Sequence, residues 1–170
     1  MSKHHKELIK AAKGKNVLLI GDTIIDKNTY GTLLGTSAET PTLVAKKESE
    51  KYSLGGACLV ARNIATLGAK VSFITLTGED KASKIIKDSK DQNLNTILVS
   101  DRDRPTTIKS RYWVDEYKLL QFDSIDNSPA SEEVSDKIFS KIEENIIHND
   151  LIIFSDYKQR VISHLLHLQI

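Results

Sequence analysis

Two four-residue stretches constrain the chain more than any other feature: Val17-Leu18-Leu19-Ile20 and Leu151-Ile152-Ile153-Phe154. Neither alternates apolar with polar residues, so neither has a side to give to water. Strands of an antiparallel sheet commonly keep one wet face and alternate. A strand buried on both faces reads as an unbroken apolar run, which is the pattern of a parallel sheet covered by helices. Residues 71–76 and 96–99 read as further strands, and residues 81–90, polar with an Ile85-Ile86 face, as the helix between them. Strand, helix, strand with short connections implies parallel pairing through right-handed crossovers. The spacing predicts other helices over residues 6–13, stopped by Gly14, and over residues 161–168. Val134, Ile138, Ile142 and Ile146 predict one more, with Ser128-Pro129 as its N-cap and first-turn proline. At a sheet edge, the Leu151 to Phe154 run would leave apolar surface open to pairing.

Residues 53–68 combine a glycine pair with an amphipathic helix: Ala57, Val60, Ala61, Ile64 and Leu67 recur at steps of three and four after Gly55-Gly56. Exposed N–H groups and the positive end of the helix dipole there suit a hydroxyl-rich or anionic guest. A tight turn into a packed core helix gives the same pattern. Asp26 also has two readings. A carboxylate just past the end of a buried strand sits where open α/β sheets contact ligands, and it also suits a turn or a cap. Residues 30–52 are too polar for a core layer and too long for a plain connection, which predicts strands projecting from the main sheet. Residues 106–122 form a second excursion, a hairpin with Lys109, Arg111 and Trp113 on one face and Ile108, Ser110 and Tyr112 on the other.

The 170 residues suffice for one domain with a real core, and a net charge of +1 steers the chain toward neither nucleic acid nor a membrane surface. The single cysteine, Cys58, forms no internal disulfide and lies in an apolar-periodic helix as a small buried hydrophobe. No run approaches transmembrane length, and the basic start lacks the apolar segment of a secretory signal, so a soluble, cytoplasmic chain is expected. His164 and His167 have no partner spaced to complete a metal site.

The assembled residues resemble the ribokinase-like (PfkB) carbohydrate kinases, and within them the heptose 7-phosphate kinases of the ADP-heptose pathway. Gly21-Asp22 followed by Asp26 and Tyr30-Gly31 is similar to the family's first strand and substrate aspartate, and Ser37-Ala38-Glu39-Thr40-Pro41 to a lid segment. Gly55-Gly56-Ala57 with Ala61-Arg62-Asn63 resembles its N-terminal glycine signature. Arg104-Pro105-Thr106-Thr107 with Lys109 and Arg111 resembles the second lid hairpin, and Ser155-Asp156-Tyr157 the turn near the sugar site. Leu59 stands where the family has an asparagine and cannot make that hydrogen bond, and Gln159-Arg160 replaces the usual Lys-Gly.

The resemblance implies an α/β, ribokinase-like fold: a mostly parallel sheet flanked by helices with a small β lid over about residues 28–52 and 105–124. It also implies ATP and Mg²⁺. The Gly-Ala-Gly-Asp motif that carries the family's catalytic base, and its Asn-x-x-Glu motif, do not occur in the sequence. Residues 1–170 are therefore expected to be the N-terminal portion of a single domain, with the C-terminal part of the fold missing. Asp26, Gly55, Gly56, Lys109, Arg111 and Asp156 are the expected contacts to a sugar phosphate. Asp26 would accept from sugar hydroxyls, the glycines would let the ring approach, and Lys109 would meet the phosphate, with Arg111 beside it. A solvated strand face is the other reading of Lys109 and Arg111. Two functions remain open: the acceptor-binding part of a kinase, or a non-catalytic remnant that binds a sugar phosphate or dimerises through its lid, Trp113 included.

Overall fold

The apolar runs become the centre of a parallel sheet. The structure, a computed structural model, describes residues 2–89, 91–159 and 161–162. After helix α1 (Lys3–Ala12), capped by the Ser2 hydroxyl, the chain enters β1 (Asn16–Gly21), in which Leu18, Leu19 and Ile20 are fully buried. β4 (Lys70–Gly78), β5 (Leu94–Asp101) and β8 (Leu151–Ser155) complete a four-stranded sheet of order β5-β4-β1-β8, every neighbouring pair parallel. Side chains alternate between the faces. Val17 and Leu19 pack with Ala57, Ala61 and Ala65 of α2 (Gly56–Thr66) and Ile86 of α3 (Lys81–Asp88). Leu18 and Ile20 pack with Val134, Ile138 and Ile142 of α4 (Glu132–Ile146).

From β1 the chain moves outward to β4 and β5, with α2 and α3 on one face. It then crosses back, with α4 on the other face, to set β8 on the far side of β1. This is doubly wound topology, and its direction of winding reverses between β1 and β8. β8 is an edge strand: Leu151 and Phe154 stay 53% and 46% exposed, and the strand carries no charge.

A second four-stranded sheet, of order β3-β2-β6-β7, stands off the first. β2 (Thr23–Thr36) pairs antiparallel with β3 (Leu43–Gly55) and parallel with β6 (Ile108–Val114), which pairs antiparallel with β7 (Tyr117–Ser124). Its outer edge, β3, carries Lys46, Lys47 and Lys51, the charges that blunt an edge against further pairing. A single residue, Asp22, separates β1 from β2, so the core sheet passes into the projecting one almost without a connection.

Three expectations need correction. Asp26 lies inside β2 rather than past the end of a strand, because the chain continues extended from Thr23. The N-cap of α4 is Ser131, whose hydroxyl accepts from the Val134 amide, and Glu132 and Glu133 suit the positive end of the helix. Ser128 instead closes a turn by donating its amide to Asp126, which keeps Ser128-Pro129 outside the helix. α1 begins at Lys3 because Ser2 supplies the cap. Apart from Val161 and Ile162, the helix expected over residues 161–168 lies outside the described residues, as do Arg160, His164 and His167. Among the described residues no helix is long and apolar enough to cross a membrane.

Candidate functional site

In open α/β sheets ligands bind outside the carboxyl ends of the strands where the winding reverses, which in this sheet lies between β1 and β8. Three pieces of chain meet at the ends of β1 and β8: Asp22 with the start of β2, the turn after β8, and the Gly55-Gly56 entry to α2. Gly55 is the N-cap of α2, with no side-chain cap, so the helix start is bare backbone. Gly56 has φ +55°, and a Cβ there would lie 2.5 Å from the Asp22 carbonyl oxygen. Both facts demand glycine. A Cβ on Gly55 would come 2.4 Å from Asp26 Oδ2, so the missing side chain is what lets the Asp26 carboxylate lie against the helix entrance. Two residues far apart in sequence thus require each other in space.

Asp26 does not stand alone. Arg111 Nη1 donates to Asp26 Oδ1 in an ion pair whose side chains are about a quarter exposed. Arg111 therefore holds the carboxylate, where it was expected beside the phosphate. The parallel register of β2 and β6 explains the pairing: Asp26, Asn28 and Tyr30 on β2 lie beside Lys109, Arg111 and Trp113 on β6 and share one face. Further along that face Trp113 Nε1 donates to Asn28 Oδ1 at 2.9 Å, and the Trp113 and Tyr30 rings stack with centroids 6.4 Å apart. Lys109 is half-buried beside Asp26 in register and makes no ion pair among the described residues. Asp156 is exposed, and its Oδ1 accepts from the Lys158 amide at 2.6 Å, so part of its acceptor capacity closes a local turn. On the opposite face of the sheet, Lys47 and Tyr52 of β3 and Lys27 of β2 converge on Glu50 and hold its carboxyl down to about 2.

Several residues that the sequence reading named only as part of the resemblance, with no role assigned, build this region. Asp22 is fully buried and accepts from the amides of Tyr157, Gln159 and Val161. Burial pushes its carboxyl above the usual value, and the three amides pull the other way. Arg104 is buried in an ion pair with Asp101 at 3.0 Å and also donates to the Ser128 carbonyl. Thr106 donates to Asp80 through both its amide and its hydroxyl, and its hydroxyl accepts from the Gly78 amide. The Arg104-Pro105-Thr106-Thr107 run thus fastens the root of β6 to the ends of β4 and β5. Its sequence signal was the pairing of a proline with hydroxyl residues beside a strand. Burial pushes the Cys58 thiol up to about 11, in keeping with a packing role. Leu59 lies on α2 and is 47% exposed.

A groove of about 1020 Å³ runs elsewhere, along α3 and the outer edge of β5, lined by Lys81, Lys84, Lys87 and Asp91 among others. It holds surface lysines and no counterpart of the Asp26–Gly55 fit, so the region at the ends of β1 and β8 is the better candidate on chemistry. Among the described residues no group of three or more His, Cys, Asp or Glu converges to hold a metal ion. A cation held by protein ligands alone does not fit the described residues.

The model of the pfkB family carbohydrate kinase matches residues 15–164. The bifunctional protein HldE of Bradyrhizobium diazoefficiens is 37% identical over 160 residues, which cover 92% of this chain and 32% of that protein. HldE of Caulobacter vibrioides is 36% identical over 158 residues, with 92% and 32% covered. The chain spans about a third of the length of these curated relatives. Among solved structures, a carbohydrate kinase from Agrobacterium tumefaciens superposes with a TM-score of 0.62 at 19% identity, over 82% of this chain and 45% of that one. Phosphofructokinase-2 from Escherichia coli in complex with fructose-6-phosphate gives 0.58 at 16% identity, over 84% and 45%. At such identities the superpositions speak for the fold.

Proposed function

The chain belongs to the PfkB carbohydrate kinase family, and from that premise we propose that it is the acceptor-sugar-binding portion of an ATP-dependent sugar kinase whose acceptor is a heptose 7-phosphate. The observation that carries this reading is Asp26, laid against Gly55 and tied by Arg111 at the point where the sheet's winding reverses. An ionised carboxylate accepts only, so it suits sugar hydroxyls, which must donate. With one oxygen tied by Arg111, the other lies over the glycine entry to α2, where no side chain stands between it and a sugar ring. Lys109, on the same face and unpaired among the described residues, supplies the positive charge for the sugar's phosphate.

Phosphoryl transfer to a hydroxyl needs an oriented acceptor, neutralised charge and a base. The residues described here serve the first need: they bind the acceptor, orient it and exclude water from one side of it. ATP is the donor in this reading and Mg²⁺ its counter-ion. Residues 1–170 form the N-terminal portion of a single ribokinase-like domain, with about residues 28–52 and 105–124 as the lid, in a protein of the cytoplasm. The second sheet also offers an exposed apolar strip, Tyr112, Leu120 and Phe122, through which two copies pair.

Titration calorimetry with D-glycero-β-D-manno-heptose 7-phosphate tests the reading. Wild-type protein is expected to bind, Asp26→Ala to lose binding by at least tenfold, and Lys109→Met to lose affinity for the sugar phosphate but not for the unphosphorylated sugar. Equal binding by wild type and Asp26→Ala would refute the assignment.

A further inference from the structure

A carboxylate removed from water persists only where charge or hydrogen bonds replace its hydration. Asp22 is fully buried and forms no ion pair among the described residues. Its partners are main-chain amides. Oδ2 accepts from Tyr157 at 2.6 Å and from Gln159 at 3.2 Å, and Oδ1 accepts from Val161 at 3.2 Å. The main chain of the same residue makes two more bonds: its amide donates to the Ser155 carbonyl at 3.2 Å, and its carbonyl accepts from the Ala57 amide at 2.9 Å. One residue thus touches the end of β8, the turn beyond it and the entry to α2. It is also the only residue between β1 and β2, four positions before Asp26.

The turn it holds reaches on to the second sheet. Thr107 Oγ1 donates to Gln159 Oε1 at 3.1 Å, and the Thr107 carbonyl accepts from the Ile25 amide at 2.9 Å. Ile25 is the neighbour of Asp26. A relay of hydrogen bonds therefore runs from the buried carboxylate through Gln159 and Thr107 to the strand that carries the proposed sugar contact.

We propose that Asp22 is a positioning residue for the acceptor pocket: its carboxylate, by gathering the amides of Tyr157, Gln159 and Val161, sets the turn after β8, and through Gln159 and Thr107 sets the angle at which β2 presents Asp26. The inference rests on the sugar-binding reading and assigns within it a residue that touches no substrate. A carboxamide cannot replace it. Asparagine has one acceptor oxygen and turns an NH₂ toward amides that need an acceptor.

Amide hydrogen exchange on the full chain tests the relay without any ligand. In Asp22→Asn, the amides of Tyr157, Gln159 and Val161 should exchange at least tenfold faster, and that of Ile25 with them, while Leu18 and Leu19 in β1 stay protected. Faster exchange confined to the turn, with Ile25 unchanged, would overturn the proposal. Thr107→Val breaks the relay while leaving the carboxylate its amides, so it serves where Asp22→Asn fails to fold. It should weaken heptose 7-phosphate binding several-fold with the turn still protected, and wild-type affinity in that variant would also overturn the proposal. Where both variants fold, a double-mutant cycle on that affinity should show the two losses coupled, and strictly additive losses would count against a shared path. Should the wild-type chain bind no sugar phosphate, the functional reading fails, and the exchange pattern still decides the role of Asp22.

Discussion

Asp80 fastens two elements with one carboxylate. It caps α3 by accepting from the Ser83 amide, and it accepts from both the amide and the hydroxyl of Thr106 at the root of β6. Burial pushes its carboxyl up, but these bonds outweigh burial and hold it below the ordinary 3.8. A carboxyl depressed in the folded protein contributes stability above its unfolded value, and that stability is lost as pH falls through the folded one. Asp80→Ala should therefore cost about 2 kcal/mol at pH 7, a cap and a buried hydrogen bond together. In urea titrations the gap from wild type should shrink as pH drops below 3.8, and a constant gap would deny the charge its part. At this scale the sequence was uneven. Asp26 stood out as a candidate because a carboxylate soon after an apolar run is conspicuous, although it lies within β2 rather than past a strand end. Asp22 received no role, and Arg111 was named beside the phosphate rather than with Asp26, since their partners lie 135 and 85 residues away. Spacing along a chain cannot show such pairs.

Among the elements, the strands and helices of the core were legible from periodicity alone, because burial on two faces or on one leaves different patterns. The start of α4 was misplaced by three residues for a local reason: Asp126 captures the amide of Ser128 and leaves the capping to Ser131. The projecting sheet was legible as two excursions but not as one sheet, since nothing in either segment announces the parallel pairing of β2 with β6. That pairing aligns Asp26 with Lys109 and creates the mixed face of charge and aromatic rings. The back of β6 and β7 leaves Tyr112, Leu120 and Phe122 at 38%, 54% and 66% exposure, an apolar strip in need of cover. Sedimentation velocity should show a dimer whose dissociation constant rises at least tenfold in Phe122→Ser. A wild-type monomer at all concentrations would remove the pairing of two copies from the account.

At the scale of the whole molecule, the described residues form a doubly wound four-stranded sheet with a second sheet grown from the end of β1. The edge position of β8 could not be read beforehand, because an apolar run states what a strand needs and not what lies beside it. The solved relatives extend well beyond the matched part, with 45% of the Agrobacterium tumefaciens kinase covered. In the proposed reading, the described part organises a place for a sugar: a bare helix entry, a tied carboxylate and Lys109, which forms no ion pair among the described residues, gathered where the winding turns. The most direct measurement is a ¹⁵N NMR titration of the whole chain with D-glycero-β-D-manno-heptose 7-phosphate. The largest shifts should fall on the amides of Asp26, Gly55, Gly56 and Lys109. Shifts concentrated on Lys81, Lys84 and Lys87 in the groove between α3 and β5, or no shifts at all, would contradict that reading.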